Sequence, residues 1–216
     1  KSSMKRRTVS KLTRRATQIG TGGGIITPLA KKLVNKVLDS GRLSYGPYLR
    51  QFEREFAGLH DRAFGVTASS GTAALLVAVQ TCKEHDGWRD GDEVIVPAVT
   101  FIASSNVVIQ SNLKPVFVDV DPYTANIDPK KIEAAITPRT RAIMPVHLFG
   151  LSAEMDEVMN IAKKHQLRVI EDSCETVGAT YKGKPVGALG DIACYSKYMA
   201  HIVTTGVGGI ALTNDP

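Results

Sequence analysis

Three groups of polar residues follow predicted strands and could do chemistry together. Ser69-Ser70-Gly71-Thr72 lies between a strand and a helix, Glu171-Asp172 ends a later strand, and Ser196 opens a loop that contains His201. Hydroxyl and amide groups at a helix N-terminus bind anions such as phosphate, because their hydrogen atoms carry a partial positive charge and the helix dipole adds to it. A carboxylate can pair with a protonated ring nitrogen. An imidazole, with an unperturbed pKa of about 6.5, can take and return protons near neutral pH.

Each candidate also has an ordinary structural interpretation. Serines such as Ser70 are favoured at helix N-termini without any ligand, and an aspartate such as Asp172 can end a strand by capping a turn. Phe101, at the predicted start of a helix, would most simply pack in the core. A histidine in a loop, such as His201, or after a strand, such as His147, is more often structural than catalytic. The residue types alone leave both interpretations open.

The candidates are positioned by an alternation of apolar strands and helices. Near-continuous apolar strands separated by helices indicate an α/β fold, with a mostly parallel sheet that has helices on both faces. Ligands of such sheets bind at the carboxyl ends of the strands. Strands are predicted at residues 64–68, 93–97, 115–120, 142–146, 168–172 and 192–195 and from residue 210, and helices at 71–84, 101–110, 129–136 and 155–165.

Two further helices are predicted ahead of the first strand. One begins near Pro28 and ends at Gly41, because proline is favoured in the first helical turn and glycine after the last. Its apolar residues fall on one face and predict a buried stripe made of Leu33, Val34, Val37 and Leu38. The segment 44–47 (Ser-Tyr-Gly-Pro) is a turn into the second helix, residues 48–59.

Charge and composition exclude several classes of protein. With 43% hydrophobic and 22% charged residues, the chain is typical of a globular domain, and no apolar run approaches the roughly 20 residues that span a bilayer. Seven of its basic residues lie in residues 1–24, which contain no acid, so the remainder carries a net charge of −1 and does not indicate nucleic-acid binding. We expect residues 1–24 to be a disordered extension; polyanion binding or targeting is the alternative.

The three cysteines, Cys82, Cys174 and Cys194, are odd in number and lack C-x-x-C spacing. They indicate neither a disulfide framework nor a metal site, and they favour a reducing compartment. We therefore expect a cytoplasmic protein.

The stretch from Gly190 to Gly209 resembles the DegT-type sugar aminotransferase family of fold-type I pyridoxal phosphate (PLP) enzymes. That family has a strand, a serine, four residues, a lysine and a Thr-Thr-Gly-x-Gly-Gly loop, which is residues 204–209 here. The order of the earlier motifs extends the resemblance from about Thr27 to Pro216. It implies that PLP is the cofactor and that it is bound by Ser70, Gly71, Thr72 and Ser196 at the phosphate, Phe101 on the ring face and Asp172 at the ring nitrogen.

Two residues depart from the usual pattern of the family. His201 stands where the family's lysine forms the Schiff base with PLP, and Glu175 stands where aminotransferases of the family usually have a glutamine near the cofactor's hydroxyl. An imidazole cannot form an imine with an aldehyde as an amine does. Lys197 is the nearest other amine, but it directly follows Ser196, whereas the family's lysine comes five residues after that serine.

A histidine at this position resembles a minority branch of the family, the nucleotide-sugar 3-dehydratases, which remove a sugar hydroxyl. The resemblance implies that PLP is held noncovalently and converted by glutamate to its pyridoxamine form, while His201 moves the proton. The implied substrate is a nucleotide-linked 4-keto-6-deoxy sugar of polysaccharide or lipopolysaccharide biosynthesis.

Other functions stay open from the sequence. The chain could be a sugar aminotransferase that uses glutamate and anchors its cofactor differently, or a noncatalytic regulator that keeps the phosphate site. The resemblance further implies a homodimer, and a C-terminal domain beyond residue 216. Residues 25–216 would then be the PLP-binding large domain of a longer enzyme.

Overall fold

Helices and strands alternate along most of the chain, as the sequence predicts. The computed structural model describes residues 25–216, so the basic segment 1–24 lies outside the described residues. The helices are α1 Pro28–Asp39, α2 Pro47–Leu59, α3 Gly71–Asp86, α4 Ala103–Gln110, α5 Pro129–Ala135 and α6 Met155–His165. The strands are β1 Phe64–Ala68, β2 Glu93–Pro97, β3 Lys114–Val118, β4 Thr140–Ile143, β5 Arg168–Asp172, β6 Thr180–Tyr181, β7 Lys184–Pro185, β8 Ile192–Ser196 and β9 Gly209–Thr213.

Several element ends differ from the predictions by a few residues. Helix α4 begins at Ala103, because Phe101 and Ile102 lie in the connection before it. Strand β4 ends at Ile143, since beyond it the chain pairs with β5 only through an isolated bridge between Val146 and Asp172. The hairpin β6–β7 and a short 3-10 turn at Leu148–Gly150 are not evident in the sequence.

Seven strands form one sheet in the order β1-β9-β8-β5-β4-β2-β3. Among the described strands of this sheet, β9 runs antiparallel to both of its neighbours, and the four other neighbouring pairs are parallel. The prediction of a mostly parallel sheet is confirmed. The antiparallel turn from β8 into β9 is made by the loop of residues 197–208, which contains His201.

Successive residues of the central strands point into two different cores. Val94 and Val96 pack with α3 and α4, whereas Ile95 between them packs with α5 and α6. A third cluster places Phe56 and Ala57 of α2 against residues of β8 and β9. Side chains alternate across a strand, so an apolar run buries both faces of the sheet. Helices therefore cover both faces, and the ends of the strands are left for a site.

Helix α1 does not have the predicted buried stripe. Thr27 caps its N-terminus by accepting a hydrogen bond from the Ala30 N–H, as the Thr-Pro start predicts. However, none of its residues is buried, and Leu33, Val34 and Leu38 are all exposed. The amphipathic pattern gives the face correctly, but no other part of the described chain packs against that face.

None of the helices between residues 25 and 216 combines the length and the apolar composition needed to cross a membrane.

Candidate functional site

A cavity of ≈ 360 Å³ opens at the carboxyl ends of the parallel strands. The sheet brings residues from five separate segments of the chain to this edge, as expected for an α/β fold. The eight residues to which the resemblance assigns catalysis or cofactor binding all line the cavity: Ser70, Gly71, Thr72, Phe101, Asp172, Glu175, Ser196 and His201.

The N-terminus of α3 forms one wall of the cavity. Ser70 caps the helix, because its Oγ accepts the Ala73 N–H at 3.1 Å. The N–H groups of Gly71 and Thr72, in the first turn, have no acceptor within the helix. A Cβ atom on Gly71 would lie 2.8 Å from the Cβ of Ser196, so glycine lets α3 start directly against the end of β8. This close approach places two hydroxyls and free amides together, an arrangement that suits a phosphate.

Asp172 forms the floor of the cavity at the end of β5 and is buried. Its Oδ2 accepts a hydrogen bond from Ser104 at 2.9 Å, and its Oδ1 accepts one from the Cys174 N–H at 3.3 Å. The two hydrogen bonds fix the orientation of the carboxylate at the cavity floor. The geometry fits a cofactor with a protonated ring nitrogen.

Glu171, the neighbour of Asp172, points away from the cavity into a buried network. Its carboxylate accepts the N–H groups of Gly187, Leu189 and Gly190 and a hydrogen bond from His147 Nε2 at 3.0 Å. Burial alone would raise the pKa of Glu171, but the His147 hydrogen bond and the backbone donors lower it below its usual value. This carboxylate organises the segment after β5 and the approach to β8.

His147 is fully buried and is not among the residues that line the cavity. Its Nδ1 accepts the Ala153 N–H at 3.1 Å, so in the neutral ring the proton is on Nε2, which donates to Glu171. A histidine with both ring nitrogens satisfied fits the structural interpretation of this residue.

Glu175 lines the cavity and also holds the neighbouring turn. Its Oε2 accepts the N–H of Phe149 at 2.7 Å. Phe149 has a φ of 52° and a ψ of 33°, a left-handed conformation that costs a phenylalanine about 1–2 kcal/mol. A carboxylate bonded to this N–H stabilises the strained turn. Glu175 is therefore only partly available to a ligand.

Phe101 is 69% exposed, so the core interpretation of this residue is wrong. Its ring forms part of the cavity wall, beside Thr100 and Ala103. An exposed aromatic face at a cavity can stack on a planar ligand.

His201 and Lys197 lie on different sides of the loop after β8. His201 lines the cavity, with its ring 6.3 Å from that of Tyr198 in an edge-on arrangement. Lys197 follows Ser196, and successive side chains of a strand point to opposite faces. Its Nζ lies 3.5 Å from the centroid of Phe56, in the core under α2. Within residues 25–216, no lysine lines the cavity.

Several further residues of this site are not evident in the sequence. Ser104 bonds Asp172 across 68 positions of the chain, and the two meet only because the folded chain places the start of α4 beside the end of β5. The cavity wall also includes apolar or weakly polar residues with no motif of their own: Leu75, Thr100, Ala103, Val146, Leu148, Cys174 and Tyr198.

The fold, with its polar cavity at the strand ends, is that of the fold-type I PLP enzymes. Residues 25–216 match the DegT/DnrJ/EryC1/StrS aminotransferase family, and the chain belongs to that family. It is 48% identical over 172 residues to the GDP-perosamine synthase of Caulobacter vibrioides, covering 80% of this chain and 45% of that protein.

Solved structures show the same fold. An aminotransferase from Psychrobacter cryohalolentis superposes with a TM-score of 0.86 and 41% identity, covering 92% of this chain and 50% of the other. The E. coli GDP-4-keto-6-deoxy-D-mannose-3-dehydratase with bound hydrated PLP superposes with a TM-score of 0.87 and 32% identity, covering 92% and 51%. The chain thus spans about half the length of the relatives it matches.

Proposed function

We propose that this chain is the cofactor-binding part of a PLP-dependent nucleotide-sugar 3-dehydratase that acts on a 4-keto-6-deoxy sugar. One observation carries the proposal. His201 lines the cavity that holds Asp172 and the serines, and among the described residues no lysine does so. An imidazole can move protons but cannot tether an aldehyde.

The cavity fits PLP as the cofactor. The hydroxyls of Ser70, Thr72 and Ser196, with the free amides of the first turn of α3, would bind the phosphate. Asp172 would pair with the ring nitrogen, and Phe101 would cover one face of the ring. When bound, PLP supplies an electron sink for bond breaking beside its amine-bearing carbon.

His201 is assigned the proton transfer. Its imidazole lines the cavity and would there take up a proton and return one to the sugar. In the overall reaction the C3–O bond of the sugar is replaced by a C–H bond, which needs two electrons. Glutamate and water supply them by conversion to 2-oxoglutarate and ammonia, and the 3-hydroxyl leaves as water.

A sugar aminotransferase is the second candidate. It is supported by the 48% identity to a GDP-perosamine synthase and by the 41% identity to a solved aminotransferase. This chain would then use its cofactor without the usual lysine, because Lys197 points into the core.

The same proposal includes glutamate as the amino donor, a homodimer and a cytoplasmic location. Exposed apolar side chains around the cavity support a second copy as the cover of this surface; they include Phe101, Ile102, Tyr198 and Ile202. The three cysteines are free thiols, which agrees with a reducing compartment.

Spectroscopy of the PLP-loaded chain tests the proposal. Glutamate should bleach the absorbance of the bound aldehyde, and borohydride should trap no covalent adduct beforehand. With a GDP-linked 4-keto-6-deoxy sugar, NMR should show a product that has lost the 3-hydroxyl. His201→Asn should retain PLP binding and lose product formation, while the exposed His85→Asn should match the unchanged protein.

Three outcomes would contradict the proposal. A borohydride adduct at Lys197, or a 4-amino sugar as the product, would favour the aminotransferase. Failure to bind PLP would overturn the cofactor assignment itself.

A further inference from the structure

The carboxylate of Asp172 is held by a side chain that belongs to no recognised motif. Ser104, in the first turn of α4, is fully buried, and its Oγ lies 2.9 Å from Asp172 Oδ2. A serine hydroxyl has one proton to donate. Its other neighbours, the Phe101 carbonyl at 3.3 Å and the Thr100 hydroxyl at 3.2 Å, are more distant, so the charged carboxylate is the favoured acceptor.

The direction of the Ser104–Asp172 hydrogen bond determines the direction of the hydrogen bond between Ser104 and Thr100. Since Ser104 donates to Asp172, its oxygen is free to accept from the Thr100 hydroxyl. Thr100 and Phe101 both line the cavity. A short hydroxyl chain therefore joins the segment that presents the Phe101 ring to the carboxylate on the cavity floor.

We propose that Ser104 is a positioning residue for the cofactor, acting through Asp172. Its hydrogen bond fixes the rotamer of the carboxylate, so that Asp172 is held in place to pair with the ring nitrogen of PLP. Through its hydrogen bonds to Thr100 and Asp172, Ser104 also fixes the distance between the segment that presents the Phe101 ring and the carboxylate. The inference rests on the PLP part of the proposed function and holds for either reaction, dehydration or amino transfer.

Two binding measurements test this role without relying on turnover. Ser104→Ala should weaken PLP binding by roughly tenfold, the loss typical of one hydrogen bond to a charged group. With PLP labelled with ¹⁵N in the ring, the pH at which NMR reports loss of the ring-nitrogen proton should fall. Ser104→Cys, nearly isosteric but a weak donor, should behave in the same way and decides the result if the alanine variant does not fold.

A double-mutant cycle separates positioning from general packing. If Ser104 acts through the carboxylate, its replacement should have little further effect in an Asp172→Asn background, because coupled residues are not additive. Ser105→Ala is the matched control, since Ser105 is in the same turn and bonds only the Ile102 carbonyl. It should bind PLP as the unchanged protein does.

Distinct outcomes overturn distinct claims. An unchanged affinity and an unchanged ¹⁵N midpoint in both Ser104 variants would overturn the positioning role while PLP binding stands. An equal loss in the Asp172→Asn background would assign Ser104 to packing alone and would also overturn it. If the unchanged chain binds no PLP, the cofactor assignment fails, and this inference fails with it.

Discussion

The Nζ atom of Lys197 lies 3.5 Å from the centroid of the Phe56 ring, in a core where the residue is 1% exposed. It has no hydrogen-bond partner in the described part of the chain. Burial lowers the pKa of this amine to about 8. A charged group in this position costs free energy, which contact with an aromatic face only partly offsets. Lys197→Met should therefore raise the free energy of unfolding at pH 7, by about 2–3 kcal/mol.

The stability gain of Lys197→Met should depend on pH, because the pKa of Lys197 is lowered in the folded protein. The folded-state pKa lies below the unfolded value, so the unfolded chain binds more protons between about pH 8 and 10.5. The unchanged protein should gain stability over that range, and the advantage of Lys197→Met should shrink. Urea unfolding at pH 7 and pH 10 measures both effects, and the exposed Lys163→Met is the control. A destabilised Lys197→Met would show that the amine is well accommodated.

Gly209 and Ser70 are in contact where the glycine-rich loop enters β9. A Cβ atom on Gly209 would overlap the Ser70 carbonyl oxygen and lie 2.8 Å from the Gly71 nitrogen. Gly209→Ala should thus displace the start of α3, at a cost of about 1–3 kcal/mol or more. It should weaken PLP binding in parallel. Gly58→Ala, at an exposed helical position with open space, should instead stabilise by about 0.5–1 kcal/mol. Denaturant midpoints compare the stabilities of the two variants. A Gly209→Ala variant as stable as the unchanged protein would contradict the close packing of Gly209 against Ser70.

The sequence predicts the alternating elements well, because burial on both faces leaves a clear apolar pattern in each strand. It also predicts which residues meet at the cavity, since strand ends in a parallel sheet share one edge. It does not predict Ser104 or the Glu175–Phe149 bond, because both depend on how connections pack across the sheet. The apolar stripe of α1, which is not buried, shows a different limit of the sequence. Periodicity predicts which residues share a helix face, but not whether another part of the chain packs against that face.

The Phe101 ring should contribute to PLP binding but little to the stability of the fold. Its ring is largely exposed, so Phe101→Ala should change the free energy of unfolding by less than about 0.5 kcal/mol. Loss of a stacking face should weaken PLP binding, by roughly three- to tenfold. Fluorescence titration with PLP and urea unfolding measure the two quantities separately. Ile109→Ala, at an exposed residue of α4 that does not line the cavity, is the control. A large stability loss with unchanged affinity would return Phe101 to a structural role.

Glu171 should control stability in acid. Its pKa is lowered in the folded protein, where the opposing effect of burial is outweighed by His147 and backbone donors. Its stabilising contribution is thus present above the unfolded-state pKa of about 4.3 and is lost as pH falls through the lower folded value. Glu171→Gln should destabilise at pH 7 by about 3 kcal/mol. The difference from the unchanged protein should narrow below pH 4 in thermal or urea unfolding. Glu157→Gln, on the exposed face of α6, should have no such effect.

His201→Lys gives the most direct test of what residue 201 does. The variant places an amine in the cavity, so PLP should become covalently attached, with a new absorbance band and a borohydride-reducible adduct. Mass spectrometry of the digest should locate the adduct in the peptide that contains position 201. The unchanged protein should give no adduct, although Lys197 is present in both. His85→Lys adds an amine at an exposed position outside the cavity and should also give none. An adduct on Lys197 in the unchanged protein would show that its amine leaves the Phe56 core to reach PLP, and the role of His201 as the base in a lysine-free site would have to be abandoned.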